Sequence, residues 1–271
     1  MASIEQIGKK KACVIGGTGF VASLLIKQLL EKGYAVNTTV RDPDNLKKTS
    51  HLVALQSLGE LNIFKAELTV EEDFDAPIVG CELVFQLATP VNFASQDPEG
   101  YPSSKTLAEK AAWKFAEEND IDLITVIPTL TIGPSLTLDI PASVGLAMSL
   151  ITGDEFLIDS LKGLQFLSGS ISITHVEDIC RAHIFVAEKE SASGRYICCA
   201  HNTSVPELAK FLSKRYLQYK IPTEFDDCPA KAKLIISSEK LIKEGFSFNY
   251  GIDETLDQTV EYLKTKGVLN K

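Results

Sequence analysis

The sequence predicts an α/β protein built on a doubly wound parallel sheet. A glycine-rich turn near the start separates an apolar run from a periodic apolar stretch, as between a strand and a helix. Strand-like runs then alternate with helical stretches at the spacing that right-handed crossovers require. The composition, 45% hydrophobic and 23% charged over 271 residues, is that of a globular protein large enough for one or two lobes.

The first strand, turn and helix occupy residues 11–32, with glycines at Gly16, Gly17 and Gly19. The spacing Gly16-x-x-Gly19-x-x-Ala22 is typical of a turn that places a dinucleotide pyrophosphate on a helix N-terminus. Free amides and the helix dipole favour negative charge there. We therefore predict a nucleotide site, and the alternative is a tight structural turn without a ligand.

The end of the second strand, residues 34–40, indicates which dinucleotide binds. A site that selects NAD places a carboxylate here for the ribose hydroxyl. This chain instead has Arg41, and Lys47 and Lys48 follow within two helical turns. Three cations suit the 2′-phosphate of NADP, so NADP(H) is the predicted cofactor. The alternative is a solvated basic helix end, and Asp42 is a nearby carboxylate that argues against NADP.

Strands and helical segments continue to alternate as far as residue 90. Glu67 and Leu68 follow the third strand, at the edge where an adenine ring would lie. Thr89 follows the fourth strand at its carboxyl end, where sheets of this kind bind ligands. The predicted strands are 61–65 and 83–88, and the predicted helical segments are 45–58, with Asn45 as a cap, and 71–76.

A helix over residues 101–118 begins with Tyr101 and Lys105, which stand four apart and so share one face. An ammonium group beside a phenol lowers the pKa of the phenol, so Tyr101 is a candidate proton donor to a substrate oxygen. The alternative is an exposed Tyr–Lys pair that arose by chance. The helix is also expected to bury an apolar stripe formed by Ala108, Ala111, Ala112 and Phe115.

The second half continues the α/β pattern less regularly. We expect residues 160–170, rich in Gly and Ser, to be a loop in a substrate lid. His175 is a candidate general base, but Asp178 three residues later favours a structural role at a helix start. The predicted strands are 121–127, 171–174 and 195–199, and the predicted helices are 141–151, 176–187, 205–216, 238–244 and 253–266.

Charge and hydropathy exclude several partners. A net charge of −9 argues against nucleic acid, which requires a basic surface. No apolar run approaches the roughly 20 residues that span a bilayer, and the N-terminus has no apolar signal core. The six cysteines form no C-x-x-C pair, so we expect buried thiols in a cytoplasmic protein and no metal site.

Several stretches together resemble the extended short-chain dehydrogenase/reductases, in the plant branch of dihydroflavonol and anthocyanidin reductases. They are ACVIGGTGFVASLL, NTTVRDPDN, VFQLATPVNFAS, YPSSKTLAEKAAWKFA, DLITVIPTL and ISITHVEDICRAHIFVAE, and the match is best to the anthocyanidin reductases. The resemblance covers nearly the whole chain. It implies a Rossmann-type sheet, NADPH, and reduction of anthocyanidins, small flavonoid substrates, to 2,3-cis-flavan-3-ols.

The resemblance also implies roles for single residues. Tyr101 would donate the proton and Lys105 would bridge to the ribose, with Arg41 and Lys48 on the 2′-phosphate. The remaining cofactor positions would be Gly16, Gly17, Thr18, Gly19, Phe20 and Val21 at the pyrophosphate, Glu67 and Leu68 at adenine, and Ala88, Thr89, Pro128 and Thr129 around the nicotinamide riboside. Residues 1–134 and 171–200 would form the NADP-binding domain, and 135–170 with 201–271 a small, mostly helical substrate lobe.

The sequence departs from this family between Pro90 and Tyr101. The family has a helix, a further strand and a catalytic Ser or Thr at this point, but a helix-plus-strand unit needs roughly 30 residues and only ten are present. One strand, one helix and the catalytic hydroxyl are therefore expected to be absent. A right-handed crossover would let the strand after Ile121 close the gap beside the fourth strand.

Three functions remain open at this level. The chain is a flavonoid reductase with impaired activity, a truncated isoform that binds NADP without catalysis, or a related reductase of dihydroflavonols or cinnamoyl thioesters. The segment that would distinguish substrates is largely the missing one. Oligomeric state does not follow from the sequence.

Overall fold

The computed structural model of the protein describes residues 9–88, 100–226 and 228–270, without the side chains of 100–102. Its N-terminal part is a parallel four-stranded sheet in the order β3-β2-β1-β4. The strands are β1 (Lys11–Ile15), β2 (Ala35–Val40), β3 (Leu61–Lys65) and β4 (Leu83–Gln86). Between them lie α1 (Phe20–Glu31), α2 (Leu46–Leu55) and α3 (Asp75–Ile78), with 3-10 turns at Gln56–Leu58 and Glu71–Phe74.

The C-terminal part contains two smaller sheets. β5 (Ile124–Pro128) pairs with β8 (Gly194–Cys198) in parallel, and β7 (Ile171–His175) pairs with β6 (Leu130–Ile132) and, antiparallel, with β9 (His201–Thr203). The helices are α4 (Gly100–Glu118), α5 (Ala142–Ala147), α6 (Ser149–Thr152), α7 (Glu155–Ser168), α8 (Val176–Glu188), α9 (Val205–Arg215), α10 (Glu239–Lys243) and α11 (Ile252–Thr265).

The doubly wound parallel α/β class is confirmed, and most predicted elements are present within a few residues. The predicted loop at 160–170 is wrong, because α7 extends through it to Ser168. Asp154 caps this helix by accepting a hydrogen bond from the amide of Leu157, 3.0 Å away. Gly163 stands in the middle of the helix, and a Cβ built there would meet no atom within 4 Å. The loop prediction therefore rested only on the low helix propensity of glycine.

The closure of the sheet that the connection rules would allow does not occur among the described strands. Among the described residues, β4 pairs with β1 alone and β5 with β8 alone, so the strand after Ile121 does not join the fourth strand. The short strands β6 and β9 were not predicted, because three residues carry too little alternation to be recognised.

The predicted burial of the α4 apolar stripe is wrong as well. Ala108, Ala111, Ala112 and Phe115 are all exposed. The helix instead turns Glu109, half-buried Trp113 and buried Ala116 inwards, at the spacing i, i+4, i+7 that defines one helical face.

Helix α8 connects the separate sheets. Val176, Cys180 and Ile184 belong to the core cluster of the four-stranded sheet and α1. The neighbouring face of the same helix packs with the β5–β8 pair, through Ile179, Ala182 and Val186. A third cluster joins α5, α6, α7, α9 and α11 around β7. No helix of the described part has both the length and the apolar character that crossing a membrane requires.

The third cluster gives a matched test of core packing. Leu212 in α9 is fully buried, whereas Leu217, just after the helix, is 84% exposed. Replacing Leu212 by Ala should lower the free energy of unfolding by about 2–5 kcal/mol, because a cavity remains after the methyl groups are lost. Leu217→Ala should change it by less than about 0.5 kcal/mol. Urea unfolding measures both, and equal effects would contradict the assigned core.

Candidate functional site

The glycine turn after β1 is fixed to the neighbouring strand. The amides of Gly16 and Gly17 both donate to the carbonyl of Thr39 in β2, at 3.2 and 3.0 Å, and Gly16 also reaches the hydroxyl of Thr39. The amide of Gly19 donates to the carbonyl of Gly16, 3.0 Å away. The turn therefore presents a defined backbone shape at the carboxyl end of the sheet.

Two of the glycines are required by close packing. Gly16 has φ +88, and a Cβ there would lie 2.8 Å from the Cβ of Ala88 beyond β4. A Cβ on buried Gly17 would lie 2.2 Å from Oγ1 of Thr38. Gly17, predicted only as a cofactor contact, thus packs beneath the turn against β2, while exposed Gly19 lies at the surface where a ligand can approach.

The N-terminus of α1 is open for an anion. Gly19 is its N-cap and supplies no capping side chain, and the first helical turn has no acidic residue. The amides of Phe20, Val21 and Ala22 have no acceptor within the helix, because the first turn of any helix leaves them without one. Together with the helix dipole, these amides suit a phosphate group.

The side chains of the turn serve the core more than a ligand. Phe20 and Val21 are partly buried against the hydrophobic clusters, and the carbonyl of Val21 lies 3.4 Å from the thiol of Cys180 in α8. Thr18 is partly buried between buried Gly17 and exposed Gly19. The contribution that Phe20 and Val21 can make to a bound phosphate is therefore their backbone N–H groups.

A basic surface lies at the carboxyl end of β2. Arg41, Lys47 and Lys48 are all exposed, at the strand end and in the first turn of α2. The nearby carboxylate of Asp42 accepts a hydrogen bond from the amide of Asp44, 3.2 Å away, and so stabilises the turn between them. In the part of the chain that the structure describes, none of these three cations has an ion-pair partner.

The other predicted adenine and nicotinamide positions follow strand ends. Glu67 is exposed after β3, where its amide donates to the carboxylate of Asp73 at 2.8 Å, and Leu68 beside it is half-exposed. Ala88 follows β4 and touches the glycine turn. Thr89 lies outside the described residues. Gly16–Val21, Arg41, Lys48, Glu67, Leu68 and Ala88 thus share the carboxyl edge of one parallel sheet.

The remaining predicted positions lie on other elements. Pro128 ends β5 and is exposed, and the hydroxyl of Thr129 is 2.8 Å from that of Thr174 in β7. Pro128 lies in β5 and Thr129 between β5 and β6, and neither of these strands joins the glycine-bearing sheet. Tyr101 and exposed Lys105 occupy the first turns of α4, one helical turn apart, and the side chain of Tyr101 lies outside the described residues.

His175 has a structural role. Its buried ring caps α8, because Nδ1 accepts a hydrogen bond from the amide of Glu177 at 3.2 Å. The ring stacks on Tyr250 with 3.9 Å between centroids. Burial lowers the pKa of His175, against the opposing charges of Glu177 and Asp178. This arrangement agrees with the structural role that the sequence favoured over a general base.

Asp178 joins α8 to a distant loop, a role that its position at a helix start did not indicate. Its fully buried carboxylate accepts hydrogen bonds from the amides of Asn249 and Tyr250 at 3.0–3.1 Å, and pairs with Arg181. It thereby fixes the loop before α11 to α8. Sequence reasoning placed it only at the helix start, because its partners lie more than seventy residues away.

The cysteines offer no reactive site. All six lie in the described ranges and none forms a disulfide, and Cys13, Cys180, Cys198 and Cys199 are buried. Burial raises the pKa of Cys13 and of Cys198 to about 12, so neither is a thiolate at neutral pH. Within the described part of the chain, no group of His, Cys, Asp and Glu side chains is arranged to hold a metal ion.

Comparison with known proteins agrees with this geometry. A family described as NAD(P)H-binding matches residues 16–146. An anthocyanidin reductase of Vitis vinifera, described as (2S)-flavan-3-ol-forming, is 61% identical, and the alignment covers 99% of each chain. The anthocyanidin reductase of Arabidopsis thaliana is 47% identical over 98% of each. The chain belongs to the anthocyanidin reductase family.

Structural similarity extends the same relationship. Vestitone reductase from alfalfa is 30% identical, with a TM-score of 0.81 over 96% of this chain and all of the other. The yeast methylglyoxal/isovaleraldehyde reductase complexed with NADPH shares the fold, with a TM-score of 0.71 at 19% identity over 96% of this chain and all of the other. An NAD(P)H-binding α/β fold is therefore established for the anthocyanidin reductase-like chain described here.

The alignment with the Vitis vinifera relative also shows a length difference. It runs over 336 positions, although this chain has 271 residues, so at least 65 positions (336 less 271) carry no residue of this chain. Because both chains are covered almost from end to end, the missing positions are internal. The interruption between β4 and β5 agrees with the family elements that were expected to be absent between Pro90 and Tyr101.

The turn provides a test of its own packing. Gly17→Ala should destabilise the protein by about 1–3 kcal/mol, because its Cβ would overlap the hydroxyl of Thr38. Gly163→Ala, in the middle of α7 with open space around it, should instead stabilise by about 0.5–1 kcal/mol through helix propensity. Thermal or urea unfolding distinguishes the two. A neutral Gly17→Ala variant would contradict the described turn.

Buried His175 and the partly buried His51 and His183 make stability depend on pH. Burial lowers the pKa of His51, His175 and His183 in the folded state below the reference value of 6.5. The unfolded chain therefore binds more protons just below pH 6.5, and stability should fall as the pH decreases through this value towards the folded-state pKa. His175→Asn keeps a capping acceptor without titrating and should reduce the slope. An unchanged slope of unfolding free energy against pH would contradict this assignment.

Proposed function

We propose that this chain is an NADPH-dependent oxidoreductase that reduces anthocyanidins, small-molecule flavonoids, to flavan-3-ols in the cytoplasm, with slow turnover. The single observation that carries the proposal is the 61% identity to a flavan-3-ol-forming anthocyanidin reductase across 99% of both chains. We assign residues 1–134 and 171–200 to NADP binding and 135–170 with 201–271 to substrate binding. The helices of the substrate-binding part share a core cluster, which packs on Ile171 and Ile173 of β7 in the NADP-binding part.

The residues present fit a phosphorylated dinucleotide. Gly16 leaves no space for a side chain beside Ala88, and the open N-terminus of α1 offers amides to a pyrophosphate. Arg41 and Lys48 would hold the 2′-phosphate, since both are exposed beside the glycine-bearing edge. Asp42, the carboxylate that could bind an unphosphorylated ribose, is held by its own turn. These contacts favour NADP(H) over NAD(H).

We assign proton donation to Tyr101 and its activation to Lys105. NADPH, when bound, would supply the hydride. Lys105 stands one turn after Tyr101 on α4, and a nearby ammonium stabilises the phenolate and lowers the pKa of the phenol. Pro128 and Thr129 would border the nicotinamide, and Thr129 is oriented by its hydrogen bond with Thr174.

Slow turnover follows from the interrupted sheet. The catalytic hydroxyl that the family carries in the missing segment would normally stabilise the substrate oxygen together with the tyrosine. Loss of one such donor costs roughly 10²–10³ in rate. Pro128 and Thr129, the nicotinamide positions after the break, also lie outside the sheet that carries the glycine turn.

The same break favours a second candidate function, a protein that binds NADP without catalysis. Binding of NADPH without turnover would select this alternative. A third candidate rests on the dihydroflavonol 4-reductase of Arabidopsis thaliana, which is 35% identical over 96% of this chain. Assay with a dihydroflavonol beside an anthocyanidin distinguishes it.

The cofactor assignment predicts selective losses. Arg41→Ala and Lys48→Ala should each raise the Kd for NADPH roughly tenfold, because each removes a charge-assisted hydrogen bond to the 2′-phosphate. The Kd for NADH, which lacks this phosphate, should stay nearly unchanged. Lys214→Ala, an exposed cation on α9, serves as the matched control. Fluorescence titration with both cofactors measures this, and equal losses for NADH would contradict NADP selection.

Turnover tests the assignment of Tyr101. The chain should reduce cyanidin with NADPH at least about 10²-fold more slowly than its longer Vitis vinifera relative. Tyr101→Phe should remove most of the remaining rate while the Kd for NADPH stays unchanged. A rate that equals the relative's, or that Tyr101→Phe does not alter, would contradict the proposal.

A further inference from the structure

Two strand edges stand open on either side of the sheet interruption. Among the described residues, β4 forms a ladder only on its β1 side and β5 only on its β8 side. Each remaining edge presents backbone N–H and C=O groups, which form a template for another strand. The two edges are four and five residues long, as suits one short strand.

One layer of helices lies beside both strands. Phe85 of β4 belongs to the core cluster that α1 forms with Val176, Cys180 and Ile184 of α8. Ile124 and Val126 of β5 pack with the cluster on the adjoining face of α8. Because α1 and α8 pack on each other, both open edges lie beside the same helical layer.

Among the described residues, apolar side chains are exposed on the opposite side of this surface. Side chains alternate along a strand, so Val84, next to Phe85, points away from α8, and it is 51% exposed. On α4, Leu107 and Phe115 are 65% and 59% exposed, and exposed Ala108, Ala111 and Ala112 lie between them. These residues of α4 form one side of the helix, which we call the α4 apolar face.

The ion pair of α4 shows on which side of the sheet the helix lies. Glu109 pairs with Arg195 of β8 through both carboxylate oxygens, at 2.7 and 3.1 Å. Arg195 neighbours Tyr196, whose side chain packs on the α8 side, so α4 lies on the side away from α8. Val84 and the α4 apolar face are therefore on the same side of the interrupted sheet.

The length comparison indicates what such a surface lacks. At least 65 aligned positions of the longer relative have no counterpart in this chain. That length is sufficient for a strand, a helix and their connections, which need roughly 30 residues or more. A parallel strand would complete the ladders of β4 and β5, and a helix would cover Val84 and the α4 apolar face.

We propose that this surface binds a strand-and-helix segment supplied by a second polypeptide, namely the segment that longer anthocyanidin reductases carry at this point. Backbone hydrogen bonds to the open edges of β4 and β5 provide one part of the interaction, as when a peptide adds a strand to a sheet. The other part is burial of Leu107, Phe115 and Val84 beneath an amphipathic helix. The chain then behaves as a receptor for the element that its own sequence omits.

The test uses a recombinant peptide of the Vitis vinifera relative that spans the positions without a counterpart here. Calorimetric titration and light scattering should show a one-to-one complex with the full chain, without cofactor or substrate. Hydrogen exchange should slow in β4 and β5 on binding and remain unchanged in β3, which lies at the far edge of the sheet. Because no turnover is measured, the result is independent of the proposed reductase activity.

Variants distinguish this surface from other exposed apolar residues. Phe115→Glu should weaken peptide binding at least about tenfold, because a charge would enter the buried contact. Phe166→Glu, at a phenylalanine on α7 that is 84% exposed, should leave the affinity within about threefold. Circular dichroism confirms that both variants fold.

Three results would overturn the proposal. The first is a calorimetric titration without binding heat, together with light scattering that shows no complex of the chain with the peptide. The second is an equal affinity of the wild type and of Phe115→Glu for the peptide. The third is a dimer of the chain alone that Phe115→Glu dissociates, because a second copy would then occupy the α4 apolar face.

Discussion

The packing of α8 against two sheets is the constraint on which the rest of the structure depends. Val176, Cys180 and Ile184 share one core cluster with α1 and the four-stranded sheet, and the adjoining residues pack with β5 and β8. Asp178 on the same helix receives the amides of the loop before α11. No described strand pairing joins β4 to β5, so the link between the two sheets is the packing on the two apolar faces of α8.

The nucleotide-binding edge was predictable because its determinants are local. Strand, turn and helix follow one another within residues 11–32, and the structure places each of them as the spacing indicated. The cationic surface at Arg41 is likewise local. What the sequence did not reveal is that Gly17 packs against Thr38, because that contact joins residues twenty-one positions apart.

The failed predictions share a physical cause. Each depended on which other parts of the chain pack against the element, and the local sequence does not show this. The stripe at Ala108 to Phe115 has helical periodicity, but periodicity cannot show whether a neighbour exists to cover it. Closure of the sheet by the strand after Ile121 was compatible with connection rules, yet β5 remains with β8. Gly163 suggested a loop although Asp154 and the apolar positions of α7 sustain a helix. The side chain of Tyr101 lies beyond the described residues, so its distance from the cofactor edge stays a prediction.

The attachment of α4 has a consequence for how the molecule opens. The Arg195 guanidinium holds the pKa of Glu109 below its usual value, yet the arginine is itself more than half exposed, and exposed ion pairs contribute little stability. With Trp113 and Ala116 as its inward anchors, α4 forms a cooperative unit weaker than the core around β7. Warming or concentrated salt should therefore detach this helix while both flanking sheets persist, and a protease should cut within it before global unfolding begins.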